Sequence, residues 1–269
     1  MPAGTIPKIA WPMVVETGVN DVIIFDEGGV DITCTLPSGT YFWRGDGSAA
    51  DMQFVLDTAL NAALPAPLLN GYSVSFQNAA VGASSAGTVE LDSDNVQFTV
   101  QWTDALTTAN PLWFGETGLA DHVYNTIDDS PNQCSHVWLP EQIYIDDSED
   151  RPYYLAEQQI MGDGSTSAQQ WGERFERTII FDVLPAWKVF EGDEVYAGEA
   201  WYQQTAAGSR ASTLISQGLR FEFTPSVSVP GTYKTYSPNG QAFMRHQGMA
   251  TPSGMVRRYD LTLPMIRFV

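Results

Sequence analysis

The feature that most constrains this fold is a two-residue hydrophobic alternation that returns in short runs along the chain. Each run is bounded by turn-forming residues. Ile32, Cys34 and Leu36 alternate with Thr33 and Thr35, and Tyr72, Val74 and Phe76 repeat the pattern, as do Val89 with Leu91 and Val96, Phe98, Val100 and Trp102. Side chains of a strand point alternately to opposite faces, so such runs read as strands with one wet and one buried face. The longest runs over 174–183, with Phe175, Arg177, Ile179, Phe181 and Val183 on one side and only Ile180 breaking the pattern on the other. Further strands are expected at 22–25, 40–43, 135–139, 142–145, 153–158, 194–202, 219–224 and 258–263. Asp26-Glu27-Gly28-Gly29 separates the first two strands as a hairpin turn.

One segment departs from this period. Met52, Val55, Leu56, Ala59, Leu60 and Ala63 form a single helical stripe. The spacing predicts a helix over 49–64, with Ser48 as N-cap, Asp51 approximating a capping box, and Pro65 as the stop. A short helix at 212–217, stopped by Gly218, is also expected. Pro111-Leu112-Trp113-Phe114-Gly115 reads as an apolar plug, and 79–87 as an exposed loop. From Asp121 the loops lengthen and become acidic, which places a domain boundary near Leu119. The expected fold class is mostly β: a small α+β module over 1–118 with one helix packed on a sheet, followed by a β-sandwich domain over 119–269.

Composition narrows the function. The formal charge is −19, from 32 acidic residues against 13 basic ones, and the lysines are Lys8, Lys188 and Lys234. That field repels phosphate backbones, and no run of basic residues with interleaved aromatics is present, so nucleic acid is not an expected partner. Lysine commonly blunts exposed sheet edges, and its scarcity suggests edges covered by neighbouring subunits. No basic segment followed by an apolar run opens the sequence, and no stretch is apolar enough for a membrane span, so membrane insertion is not expected either. Cys34 and Cys134 are one hundred residues apart with no C-x-x-C spacing; two buried thiols are expected, with one disulfide as the alternative.

No catalytic signature emerges. The three histidines, His122, His136 and His246, belong to no metal pattern, and no G-x-S-x-G elbow occurs. They read as solvated or core-lining imidazoles. Gly45-Asp46-Gly47 and Gly162-Asp163-Gly164 are turns by composition, and Arg44-Gly45-Asp46 spells an integrin-recognition tripeptide where ordinary turn chemistry suffices. Asp146, Asp147, Glu149 and Asp150 form the densest acidic cluster. It is expected to be a solvated loop and is a weak Ca²⁺ candidate, without EF-hand spacing. No cofactor is implied. Trp43, Trp102, Trp113, Trp138, Trp171, Trp187 and Trp201 are mostly core, with some available for a glycan groove or a protein contact.

The order of Gly39-Thr40-Tyr41, the helix ending Leu60-Asn61-Ala62-Ala63-Leu64, Gly71-Tyr72-Ser73-Val74-Ser75-Phe76, Val96-Gln97-Phe98-Thr99-Val100 and Leu112-Trp113-Phe114-Gly115 resembles a module in structural proteins of tailed bacteriophages and other large double-stranded DNA viruses. The likeness covers about residues 20 to 116. The second half, with Trp171-Gly172-Glu173-Arg174 and Tyr259-Asp260-Leu261-Thr262-Leu263, is similar in style to β-sandwich domains of phage tail and tail-tip proteins. The resemblance implies a non-enzymatic virion component of the tail or its distal tip, assembled in the host cytoplasm. Its partners would be copies of itself in a ring and other virion proteins. A carbohydrate- or receptor-binding protein, engaging a host-surface glycan or decorating a capsid, is the alternative. A carboxylate-dependent glycan hydrolase is the enzyme alternative.

Overall fold

The computed structural model describes residues 8–64, 71–77, 87–93, 97–125, 127–131, 134–139, 144–146, 151–160, 166–185, 219–225, 231–239, 243–251 and 254–268. It is mostly β, with one α-helix among the described residues, and the chain divides into two compact units. The first takes its described residues from Met1–Glu141 and Glu222–Tyr233; the second takes them from Gln142–Gln203, Ser212–Phe221 and Lys234–Val269. The division therefore does not fall at the composition change near Leu119. Three short strands beyond that point stay with the first unit, and a later segment returns to it.

In the first unit, β1 (Lys8–Ala10) and β2 (Met13–Val15) precede the hairpin of β3 (Val22–Glu27) and β4 (Val30–Thr35). Its two-residue turn is Gly28-Gly29, with φ of 65° and 86°. Positive φ at both positions is what a type I′ turn needs, and glycine reaches it without a Cβ clash. After β5 (Gly39–Tyr41) comes α1 (Met52–Ala63), then β6 (Tyr72–Phe76), β7 (Val89–Ser93), β8 (Phe98–Val100), β9 (His122–Tyr124), β10 (Ile127–Asp129) and β11 (Val137–Trp138). They form antiparallel sheets in the orders β4-β3-β8-β9, β10-β7-β6 and β2-β5. β1 lies between β11 and residues Glu222 to Thr224 of a later strand, β15 (Phe221–Thr224).

The alternation is realised as expected: Ile23, Phe25, Ile32, Cys34 and Leu36 are buried, as are Tyr72, Val74, Phe76, Val89, Leu91, Phe98 and Val100. They join the helix stripe Met52, Val55, Leu56, Ala59 and Leu60 in one hydrophobic core. The apolar plug is a 3-10 helix, Pro111–Phe114, whose Trp113 and Phe114 enter that core. Gly115, at φ 75°, closes it in the left-handed conformation. The helix start differs from expectation. The cap is Asp51, whose carboxylate accepts from Gln53 N, so α1 begins at Met52 rather than at Ala49.

The opposite side of α1 has an unexpected use. Asn61 donates through Nδ2 to Tyr72 O at 2.8 Å and accepts from Tyr72 N at 2.9 Å; Val74 N donates to Asp57 Oδ1 at 3.2 Å and Phe76 N to Gln53 Oε1 at 3.0 Å. Positions i, i+4 and i+8 of a helix thus engage alternate residues of a strand running the other way. The match is metric, because four helical residues rise about 6 Å and two strand residues about 6.8 Å. β6 is an edge strand, and this comb satisfies backbone groups that would otherwise invite another strand.

In the second unit, β13 (Arg151–Ile160) pairs with β14 (Thr166–Pro185), β14 with β18 (Gly254–Phe268), and β18 with β17 (Phe243–Thr251), all antiparallel. β12 (Tyr144–Asp146) adds to β14, and β16 (Lys234–Pro238) adds to β18. The runs anticipated at 174–183 and 258–263 are the middles of strands of 20 and 15 residues. Ile179 and Leu263, fully buried and in register, mark the described core here, with Met265 beside them in sequence. The segments 194–202 and 212–217 lie outside the described residues.

The comb predicts a chemical asymmetry. Asn61→Ala, which strips both the donor and the acceptor facing Tyr72, is expected to cost about 1–3 kcal/mol in urea unfolding. Gln53→Glu keeps the acceptor that Phe76 N uses and should change stability by less than about 0.5 kcal/mol.

Candidate functional site

The densest polar constellation in the described residues is built around Asp51. Its side chain is wholly buried and accepts four backbone N–H groups: Arg44 N at 3.1 Å and Gln53 N at 3.2 Å on Oδ1, and Asp46 N at 2.9 Å and Gly47 N at 3.0 Å on Oδ2. The same residue continues a bridge to Phe42, where Phe42 N donates to Ala50 O and Met52 N to Phe42 O. The turn 44–47 is therefore cinched against the helix start. The Arg44-Gly45-Asp46 tripeptide is part of this internal clasp, with Asp46 Oδ1 itself accepting from Ser48 N at 3.0 Å.

The clasp aims Arg44. Its guanidinium meets Glu222 in a fork, Nε to Oε2 at 2.9 Å and Nη2 to Oε1 at 2.5 Å, while Nη1 donates to Ser48 Oγ at 3.1 Å. The plane also lies over Tyr233, 4.3 Å from the ring centroid. Glu222 is only 3% exposed. Burial raises its carboxyl, and the bond and charge of Arg44 pull the other way. For Arg44, desolvation opposes the charge but is outweighed by the hydrogen bond and charge of Glu222, with help from Tyr233 and Asp46.

Lys8, also buried, donates to Arg44 O at 2.8 Å, and burial pushes its ammonium down to about 8 against the pull of Asp51, Glu222 and Asp46. Lys8 and Arg44 are the only Lys or Arg residues before Arg151. Both are committed to the interior.

A second constellation runs through aromatic rings. Tyr72, Phe25 and Phe98 pack edge to face, Phe98 stacks on Tyr124 at 5.2 Å, and His122 tilts over Tyr124 at 4.1 Å. A buried carboxylate stands at each end. Glu27 accepts from Tyr72 OH, and Glu116 Oε1 contacts His122 Nδ1 at 2.5 Å and accepts from Tyr124 OH at 2.6 Å. Burial raises both phenols, reinforced by their carboxylates.

A carboxylate on an imidazole resembles the base-orienting half of a nucleophilic site. Burial, with the charge of Glu116 added, holds the nearby Cys134 thiol well above the ordinary thiol range. Cys34 is likewise raised to about 12 by burial, and neither cysteine is in a disulfide.

The other candidates are placed as follows. His136 is 8% exposed, shares a hydrogen bond of 2.9 Å between Nδ1 and Ser135 Oγ, meets the Trp113 ring edge-on, and is lowered to about 4 by burial. His246 lies on β17 in register with Tyr259. Asp146 ends β12, whereas Asp147, Glu149 and Asp150 lie outside the described residues. Among the described residues no group of three or more His, Cys, Asp or Glu could hold a metal ion, and no helix is long and apolar enough to cross a membrane.

Trp43, Trp102 and Trp113 are buried, and so is Trp11. Trp43 stacks on Phe76 at 5.1 Å and donates from Nε1 to Trp113 O at 2.9 Å. Trp138 lies on β11 and Trp171 on β14, while Trp187 and Trp201 are outside the described residues.

Sequence reasoning missed Glu222, Glu116 and the clasp. No local pattern joins residues 178 positions apart. The chain has no significant match among protein-family models, curated proteins or solved structures.

Two predictions follow the charges. Arg44→Ala leaves Glu222 buried without its fork and is expected to cost about 3–5 kcal/mol, whereas the double replacement Arg44→Met with Glu222→Leu should recover most of that loss in urea unfolding. His136 has a folded pKa below its unfolded value, so the unfolded chain takes up the proton first. Stability is then lost as pH falls from about 6.5 through about 4, by on the order of 3 kcal/mol. The imidazole proton shifts of His136 should stay flat in NMR titration above pH 5, and His136→Phe should flatten this part of the stability profile.

Proposed function

We propose that this chain is a non-enzymatic structural protein of a tailed-phage virion, in the tail or its distal tip, working through contacts with copies of itself and with other virion proteins. The observation that carries the reading is the internal commitment of the groups that chemistry or sugar binding would recruit. Asp51 is spent on four backbone N–H groups, Arg44 on Glu222, Glu116 on His122 and Tyr124, and Trp43 and Trp113 on each other and the core. Neutral His136 is enclosed with Trp113. Each polar group serves to fix a shape, which is the property a building block needs.

Mass spectrometry of purified virions from the encoding genome, followed by cryo-electron microscopy, tests this. The chain should be present in the particles and resolved in the tail. Its absence from particles sinks the reading, and glycan-array binding abolished by EDTA would move it toward a receptor-binding protein.

A further inference from the structure

The sequence holds two Asp-Gly pairs, Asp46-Gly47 and Asp163-Gly164, and the second lies outside the described residues. In such a pair the glycine nitrogen can attack the aspartate Cγ, because no Cβ stands in its way. The N–H proton and the hydroxyl of the protonated carboxyl leave as water, which closes a succinimide. A second water opens the ring at either carbonyl. It returns aspartate or leaves isoaspartate, whose main chain is one carbon longer.

Asp46-Gly47 is open to this reaction by shape. Gly47 is exposed, and a Cβ built on it meets nothing within 4 Å. What stands against the reaction is hydrogen bonding. Gly47 N donates to Asp51 Oδ2 at 3.0 Å, Asp46 N donates to the same oxygen at 2.9 Å, and Asp46 Oδ1 accepts from Ser48 N at 3.0 Å. Attack requires the Gly47 peptide plane to turn its nitrogen toward the Asp46 Cγ, which breaks the bond to Asp51. It also requires the amide to give up its proton, and an anion forming 3.0 Å from a buried carboxylate is disfavoured by like charge. The carboxyl under attack is itself tied to Ser48 N.

We infer that Asp46-Gly47 is a latent succinimide site, and that the buried Asp51 carboxylate, by holding both amides of the pair, keeps it from isomerising. Asp51 thereby guards the covalent integrity of the turn as well as its shape. One added main-chain carbon between Asp46 and Gly47 carries the converging N–H groups out of register, and Arg44 with them, away from Glu222. This protection is independent of what the chain assembles with.

Ageing of the full chain at neutral pH, followed by peptide mapping that separates isoaspartate from aspartate, tests it. Asp46 in the folded chain should isomerise at least about tenfold more slowly than in the same chain in urea, because the reaction must wait for local opening. The Gly47 N–H should exchange slowly with deuterium for the same reason. Asp51→Ala, judged folded by circular dichroism, should lose most of this protection, whereas Asn61→Ala, which lowers stability away from the turn, should keep it. Isomerisation as fast in the folded chain as in urea would overturn the inference. So would an Asp51→Ala chain that ages no faster than the original, or no faster than Asn61→Ala. Should Asp51→Ala fail to fold, free exchange of the Gly47 N–H in the unsubstituted chain decides against the inference, and slow exchange with slow isomerisation decides for it.

Discussion

The first unit depends on one carboxylate. Asp51 is enclosed, and four backbone N–H donors surround its oxygens. A buried charge is tolerable when its solvation is replaced by fixed dipoles, and the start of a helix adds its own positive end. The consequences are geometric. With the turn 44–47 closed, the Arg44 guanidinium is delivered to Glu222, and β15 is held at the place where it pairs with β1. Lys8 completes the arrangement from β1 by donating to Arg44 O. A local cap thereby fixes a contact between the chain's beginning and its last quarter.

The helix contributes through both of its sides. Its apolar stripe covers the core, while Gln53, Asp57 and Asn61 occupy the edge of β6. Lysine scarcity suggested sheet edges covered by other subunits; at β6 the cover is a helix of the same chain. An edge finished this way keeps its backbone bonds without presenting a hydrogen-bonding row to a stranger.

What could be read from sequence was what short-range periodicity records. The stripe Met52, Val55, Leu56, Ala59 and Leu60 and the alternations at Ile32, Cys34 and Leu36 or Tyr72, Val74 and Phe76 follow from burial on one face, so they are visible locally. Ser48 with Asp51 fits a capping-box spacing, but the cap falls on Asp51 because the N–H groups of the turn 44–47 converge on its carboxylate. Strands of three residues such as β9 and β10 are too short for alternation to register. β13, β14 and β18 run through Pro152, Gly172 and Pro264, residues that normally punctuate strands, and so their ends lie well beyond the patterned middles. Arg44 with Glu222, and Glu116 with His122 and Tyr124, are tertiary facts that no window of sequence contains.

The cations are distributed unevenly along the chain. The first 150 residues contain Lys8 and Arg44 alone, and both are used inside. That stretch confronts its surroundings with carboxylates and no compensating Lys or Arg. On the sheet of β7 and β10, Glu90 lies directly opposite Asp129, and after burial it is the charges of Asp129 and Asp92 that raise its carboxyl. Like charges placed directly opposite on a sheet repel. The chain's remaining cations come later in the sequence, and Arg245, Arg257, Arg258 and Arg267 lie on β17 and β18 with Asp260 as the only acid there. Positive charge on this chain thus belongs to the late strands, and the first 150 residues keep their two cations inside.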